Sequence, residues 1–126
     1  MQSPDNIHLV DSMLTGIEWN KGSLVLSLQA ESHAELHVHT YATQIVISNA
    51  SISGSLPELP GEITEVDLNF PNHSSYFHYL TLPFALAHPC RLVFTLSSGS
   101  TLEATGDSFT VIVGDLISSY AIVFDL

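Results

Sequence analysis

Apolar and polar residues alternate with a period of two along most of this chain, and the β-branched and aromatic residues fall in the same short runs. That period puts successive side chains on opposite faces of an extended strand, and no stretch sustains the 3.6-residue spacing of an amphipathic helix. The turn at Asn20-Lys21-Gly22 is the plainest hairpin signal: Met13 to Trp19 leads in, and Ser23 to Ala30 returns with Leu24, Leu26 and Leu28 on one face. Gly22 supplies the positive φ such a turn needs. Ala34 to Tyr41 follows, with Ala34, Leu36 and Val38 alternating against Glu35, His37 and His39, then Gln44 to Ile52 with Ile45 and Ile47. Val66, Leu68 and Phe70 alternate with Glu65, Asp67 and Asn69, which predicts a strand with an acidic outer face. Tyr76 to Leu82, Arg91 to Leu96, Leu102 to Thr105, Phe109 to Val113 and Leu116 to Phe124 complete the set. Ser97-Ser98-Gly99-Ser100 reads as a hairpin turn, and Pro83 to Pro89 as a compact connection with room for one helical turn.

Ser53-Gly54-Ser55 and Pro57-Glu58-Leu59-Pro60-Gly61 form the strongest break, and it reads as a loop because each flanking half is small for a core of its own. The expected architecture is a single all-β domain over residues 1–126, an antiparallel β-sandwich or barrel-like sheet of about eight to ten short strands. A chain of 126 residues, 45% of them hydrophobic, is large enough to enclose a core without metal or disulfide staples. The single Cys90 has no partner for an internal disulfide and is expected to pack as a small hydrophobe. No apolar run approaches the roughly 18 to 20 residues that span a bilayer as a helix. Met1 to Asn6 lacks the basic and apolar regions of a secretory signal, so the expected location is cytoplasmic.

Charge narrows the partners. Thirteen acids stand against only Lys21 and Arg91, a net charge of −11. Such a field repels nucleic acid and anionic lipid and attracts cations or basic proteins. The outward-pointing carboxylates Glu35, Glu62, Glu65 and Asp67 are the expected contact residues for a basic protein partner.

Three constellations carry chemistry. In His33-Ala-Glu-Leu-His37-Val-His39, residues 37 and 39 of one strand share a side, with Glu35, His33 and Glu31 on the same parity. Imidazole with carboxylate suits a divalent transition metal, and His33, His37 and His39 are the candidate ligands. The alternative is the solvated outer face of a half-buried strand. His37-Val-His39 also resembles the first motif of the cupin jelly rolls, but Glu31 stands at that motif's glycine position and Thr43 or Gln44 at its glutamate. That resemblance implies a metal-binding protein or metal-dependent enzyme using His37 and His39. Next, His73-Ser-Ser-Tyr76-Phe77-His78-Tyr79 offers either a stacking platform for a sugar or base or, since Tyr76 and His78 share parity with Leu80 and Leu82, part of a core. Finally, Glu58, Glu62, Glu65 and Asp67 lack the regular spacing of a calcium loop, and no Gly-x-Ser-x-Gly nucleophile elbow is present.

Val10-Asp-Ser-Met-Leu-Thr-Gly-Ile-Glu-Trp19, Leu24-Val-Leu-Ser-Leu28 and Arg91 to Glu103 resemble small uncharacterised bacterial all-β proteins, some of them similar to immunity proteins of toxin systems. Val10 stands where those proteins commonly carry a histidine, and Asp11-Ser12 is retained. The resemblance implies a non-enzymatic interaction module, an acidic inhibitor whose carboxylates stand in for phosphates on a basic nuclease. It carries over no catalytic residue. The chain is expected to be a monomer or a homodimer, because Tyr120 to Leu126 is apolar enough either to pair across a dimer or to lie inside the core.

Overall fold

The computed structural model describes residues 4–34, 36–70, 73–76 and 79–121, and within them every regular element is a strand. The strands are β1 (Asn6–Asn20), β2 (Ser23–Ala34), β3 (His37–Ser48), β4 (Ser51–Ser53), β5 (Gly61–Phe70) and β6 (His73–Tyr76), followed by β7 (Tyr79–Thr81), β8 (Ala85–Leu86), β9 (Cys90–Leu96), β10 (Thr101–Gly106) and β11 (Ser108–Ala121). They join antiparallel in the order β4-β10-β9-β5-β1-β2-β3-β11-β8, with β6 attached to β5 and β7 to β1. The two ends of that path are not paired with each other, so the expected all-β antiparallel fold is present without barrel closure. Four strands run 12 to 15 residues, longer than the short strands expected; in β1 and β11 bulges let one strand continue through a change of side-chain parity.

Two blocks of strands meet along a narrow join. β1, β2, β3 and β11 form one, and β5, β9 and β10 the other; among the described residues the rungs between them are Met13 to Glu62 and Leu14 to Gly61. Both blocks feed one buried cluster: Leu14, Leu24, Leu26, Ile45, Ile47 and Phe109 from the first, Ile63, Leu68, Leu92, Phe94 and Leu102 from the second. Each such side chain contributes about 1.5–3 kcal/mol of transfer free energy when fully buried, which is how the fold dispenses with cross-links. Glycine keeps two close approaches open, and the one at Gly106, against backbone, is the less forgiving. A Cβ at Gly61 would sit 2.8 Å from Leu96 Cδ1, and one at Gly106 would press into the Ile47 side chain and lie 2.6 Å from the Ser48 carbonyl oxygen.

Local chemistry accounts for the turns. Lys21 and Gly22 both take positive φ, 51° and 85°, as a tight β1–β2 hairpin turn requires. Gly99, at 91°, closes the β9–β10 hairpin, where the Leu96 and Ser100 backbones hydrogen-bond. Both turns lie where the sequence places them. Asp11 carries no such local signal: at φ 71° it opens a bulge in β1, and the Ser12 hydroxyl donates to the Leu9 carbonyl inside it. Ile7 and Leu9 face the core before the bulge, Ser12 and Leu14 after it, so an apparent lapse of alternation is one continuous strand.

The expected strand Ala34 to Tyr41 does not exist as a unit. β2 runs on to Ala34, the chain turns through Leu36, and β3 begins at His37, with Ala34 opposite His37 and Ser32 opposite His39. Leu36, expected to face inward with Val38, is instead exposed in the turn. Residues 83–89 contain the two-residue strand β8 and no helical turn.

Candidate functional site

The acidic face is built by β5 and its neighbours. Ile63, Val66 and Leu68 point into the core, and a bulge between Ile63 and Glu65 lets Glu62, Glu65 and Asp67 all point outward. Glu62 and Glu65 are exposed and Asp67 half-buried. Across the sheet Asp67 lies opposite Val93, and Val93 opposite Glu103, so a fourth carboxylate belongs to this face. Glu35 lies outside the described residues.

One of the two cations sits inside that cluster. Arg91 Nε donates to Glu103 Oε1 at 2.7 Å, and this hydrogen bond, then the charges of Glu103 and Asp67, raise the guanidinium pKa further. Asn69 Nδ2 donates to Asp67 Oδ1 at 3.1 Å. Asp67 and Glu103 are thus partly satisfied within the fold, whereas Glu62 and Glu65 have no ion-pair partner among the described residues. The neutralising Arg91 was legible as a residue but not as a neighbour, because its position depends on the β5–β9 register.

The histidines divide between the two faces of the sheet. His37 and His39 lie in the row that continues through Tyr41, Thr43, Ile45 and Ile47, the core-facing row of β3. Their rings are parallel within 3° with centroids 6.0 Å apart, and His39 packs edge-on to Tyr41 at 6.3 Å. His39 Nδ1 is buried without a hydrogen-bond partner among the described residues. His33 is opposite Val38 and therefore on the other face. There its ring stacks on His8 with centroids 4.2 Å apart, and its Nε2 lies 3.8 Å from Glu31 Oε2. The turn through Leu36 resets the parity that the linear spacing implied, so His33 does not join His37 and His39. Among the described residues no group of three or more His, Cys, Asp or Glu side chains is arranged to hold a metal ion.

His8 emerges only in three dimensions. It pairs with Glu31 across β1 and β2 on the far side of the Asp11 bulge, a register no local pattern announces. Burial, then the charge of the adjacent His33, push its pKa below the ordinary value, with Glu31 and Asp11 acting in the opposite sense.

Elsewhere, Cys90 lies on the wall of an open depression of about 460 Å³ with Asn49, Asn69, Arg91, Gly106 and Asp107. Cys90 is 5% exposed, and burial followed by the charge of Asp107 pushes its thiol pKa up, against a weaker opposing hydrogen bond from the Gly106 backbone. A raised pKa disfavours the nucleophilic thiolate, in keeping with the packing role expected. The side chains of His73 and Tyr76, with Phe77 and His78, lie outside the described residues; Leu80 is buried in the core cluster. No helix among the described residues is long and apolar enough to cross a membrane.

No family model, curated protein or solved structure matches this chain. Function is therefore argued from the faces themselves.

Proposed function

We propose that this protein is a non-enzymatic interaction module that docks a basic protein partner, as an immunity-type inhibitor would, through the outer face of β5, β9 and β10. The observation that carries the proposal is the bulge in β5, which turns Glu62, Glu65 and Asp67 to one exposed side of a rigid sheet while Ile63, Val66 and Leu68 anchor it. A net charge of −11 adds long-range steering toward a basic surface, and steering acts chiefly on the association rate. The test is inhibition of, and binding to, a panel of basic nucleases over a range of ionic strength. Glu62→Gln/Glu65→Gln removes the two unpaired carboxylates; at roughly 0.2–1 kcal/mol per exposed pair, binding should weaken about two- to thirtyfold, mostly in association rate. Binding that ignores both salt and the double substitution would reject this face as the contact.

A second reading, a cupin-like metal-binding protein or metal-dependent enzyme, rests on the parallel His37 and His39 rings and the unpartnered His39 Nδ1. His33 faces away and is not a third ligand in that arrangement. Calorimetric titration with a zinc salt tests it: saturable one-to-one binding abolished by His39→Ala supports the metal site, and no heat above dilution removes it.

A further inference from the structure

The depression that Cys90 borders adjoins the acidic face but has a different chemistry. Asn69, Arg91 and Thr105 stand in one row across β5, β9 and β10, next to the row of Asp67, Val93 and Glu103. They point outward, because Leu68, Leu92 and Ala104 beside them are buried. All three line the depression, about 460 Å³ in volume, together with Asn49, Asp107 and the apolar Phe70. That volume falls in the range of small-molecule sites, about 300–1,000 Å³.

Most of the polar side chains here are held by a bond at one end. Asn49 Nδ2 donates to Asp107 Oδ2 at 2.8 Å, and the Asp107 amide donates to the Ser48 carbonyl at 2.9 Å, so the β10–β11 corner is tied twice to the β3–β4 corner. Asn69 Nδ2 donates to Asp67 Oδ1 at 3.1 Å, and Arg91 Nε to Glu103 Oε1 at 2.7 Å. The ends not used in these bonds are of both kinds. Two amide oxygens and Asp107 Oδ1 accept, the terminal guanidinium nitrogens of Arg91 donate, and the Thr105 hydroxyl does either. Side chains already fixed in this way forfeit less rotamer entropy when a ligand binds.

We propose that this depression binds a neutral saccharide, its ring hydroxyls bonded to Asp107, Asn49, Asn69 and Arg91 and an apolar face of the sugar ring against Phe70. The mixture of donors and acceptors selects this ligand. A hydroxyl donates and accepts at once, so neighbouring hydroxyls of one ring satisfy carboxylate, amide and guanidinium together. An anion is opposed by Asp107, by Asp67 and Glu103 in the next row and by a net charge of −11. A cation is opposed by Arg91 and leaves its terminal nitrogens without an acceptor.

Nitrogen–proton correlation NMR of the full chain, titrated with a panel of neutral methyl glycosides and disaccharides, tests the site. At least one saccharide should saturably shift the amides of Asn49, Asn69, Thr105 and Asp107, equally at low and high salt. Asp107→Ala should weaken that binding about tenfold or more, and Asn69→Ala about threefold or more. Ile117→Ser, an exposed change on β11, should leave it intact. A free sugar and the end of a protein-borne glycan present the same hydroxyls; a glycoprotein with neutral glycans, compared before and after enzymatic deglycosylation, separates these sources. The titration contains no protein partner, so its outcome is independent of docking on the acidic face. A panel that leaves these amides unmoved, shifts that vanish at high salt, or affinity unchanged in both Asp107→Ala and Asn69→Ala would overturn the assignment. So would a response to arginine methyl ester or to a nucleoside with none to any saccharide. Should Asp107→Ala not fold, Asn69→Ala decides alone.

Discussion

The outer face of β5–β9–β10 and the free edge of β11 are two surfaces of one sheet with opposite chemistry. The first carries Glu62, Glu65, Asp67 and Glu103, with Arg91 bonded to Glu103, and β4 and β6 cover its strands at the sides. The second runs from Ile112 to Ala121 with one carboxylate and no covering strand among the described residues. Sheet geometry alone does not cause the difference, since both blocks are antiparallel and both feed the same core. It arises from what occupies the outward positions: carboxylates, which stay hydrated and repel copies of the chain, or branched and aromatic side chains, which gain by leaving water. One surface is dominated by carboxylates and the other by exposed apolar side chains.

Paired aromatic truncations give the largest contrast. Phe94 is fully buried between the blocks, and Phe94→Ala should lower the unfolding free energy by about 3–5 kcal/mol through lost transfer energy and an unfilled cavity. Tyr120 is 56% exposed, and Tyr120→Ala, measured by urea denaturation, should stay within about 0.5 kcal/mol of wild type. A large loss at Tyr120 would mean that β11 is packed by its own chain and is no edge.

The seam between the blocks is the next place to apply pressure. Gly106→Ala forces a methyl group against the Ile47 side chain and the Ser48 carbonyl, a backbone atom that cannot swing away, and should cost about 1–3 kcal/mol. Gly61→Ala meets chiefly the flexible end of Leu96 and should cost less. Thermal melts of the two variants rank them directly. Equal midpoints would show that the seam relaxes as easily at β10 as at the β1–β5 join.

Much of this arrangement is legible in the sequence where one residue decides the outcome. Gly22 and Gly99 mark their turns because few residues tolerate positive φ, and Val66 and Leu68 against Glu65 and Asp67 mark the acidic face because one face of β5 is dry. Legibility stops where two segments must be set in register. Ala34, Leu36 and Val38 alternate with Glu35, His37 and His39 without a break, so nothing local signals that β2 continues to Ala34 and that the chain turns before His37. That turn separates His33 from His37 and His39. The Asp11 bulge has the same effect on His8, whose stacking on His33 depends on a register five β1 residues away from the nearest regular rung of the hairpin, Met13 to Gln29. Edge status is equally non-local. The run from Ile112 to Tyr120 reads as well for a central strand as for an exposed one until the strand order is known.

The smallest expected effect concerns that hidden histidine pair, on the outer face of the β2–β3 hairpin and beside Val38, the residue opposite both His33 and Tyr120. Burial and the neighbouring His33 hold His8 below its ordinary pKa, so the folded chain binds fewer protons than the unfolded one between the two values. Stability from this site is therefore fully present above the unfolded value of about 6.5 and is lost as the pH falls toward the folded one. Comparing wild type with His8→Gln isolates the histidine. The wild-type unfolding midpoint should decline with acidification just below pH 6.5, and His8→Gln should flatten that decline. Parallel curves would place His8 in water, with no consequence for the fold.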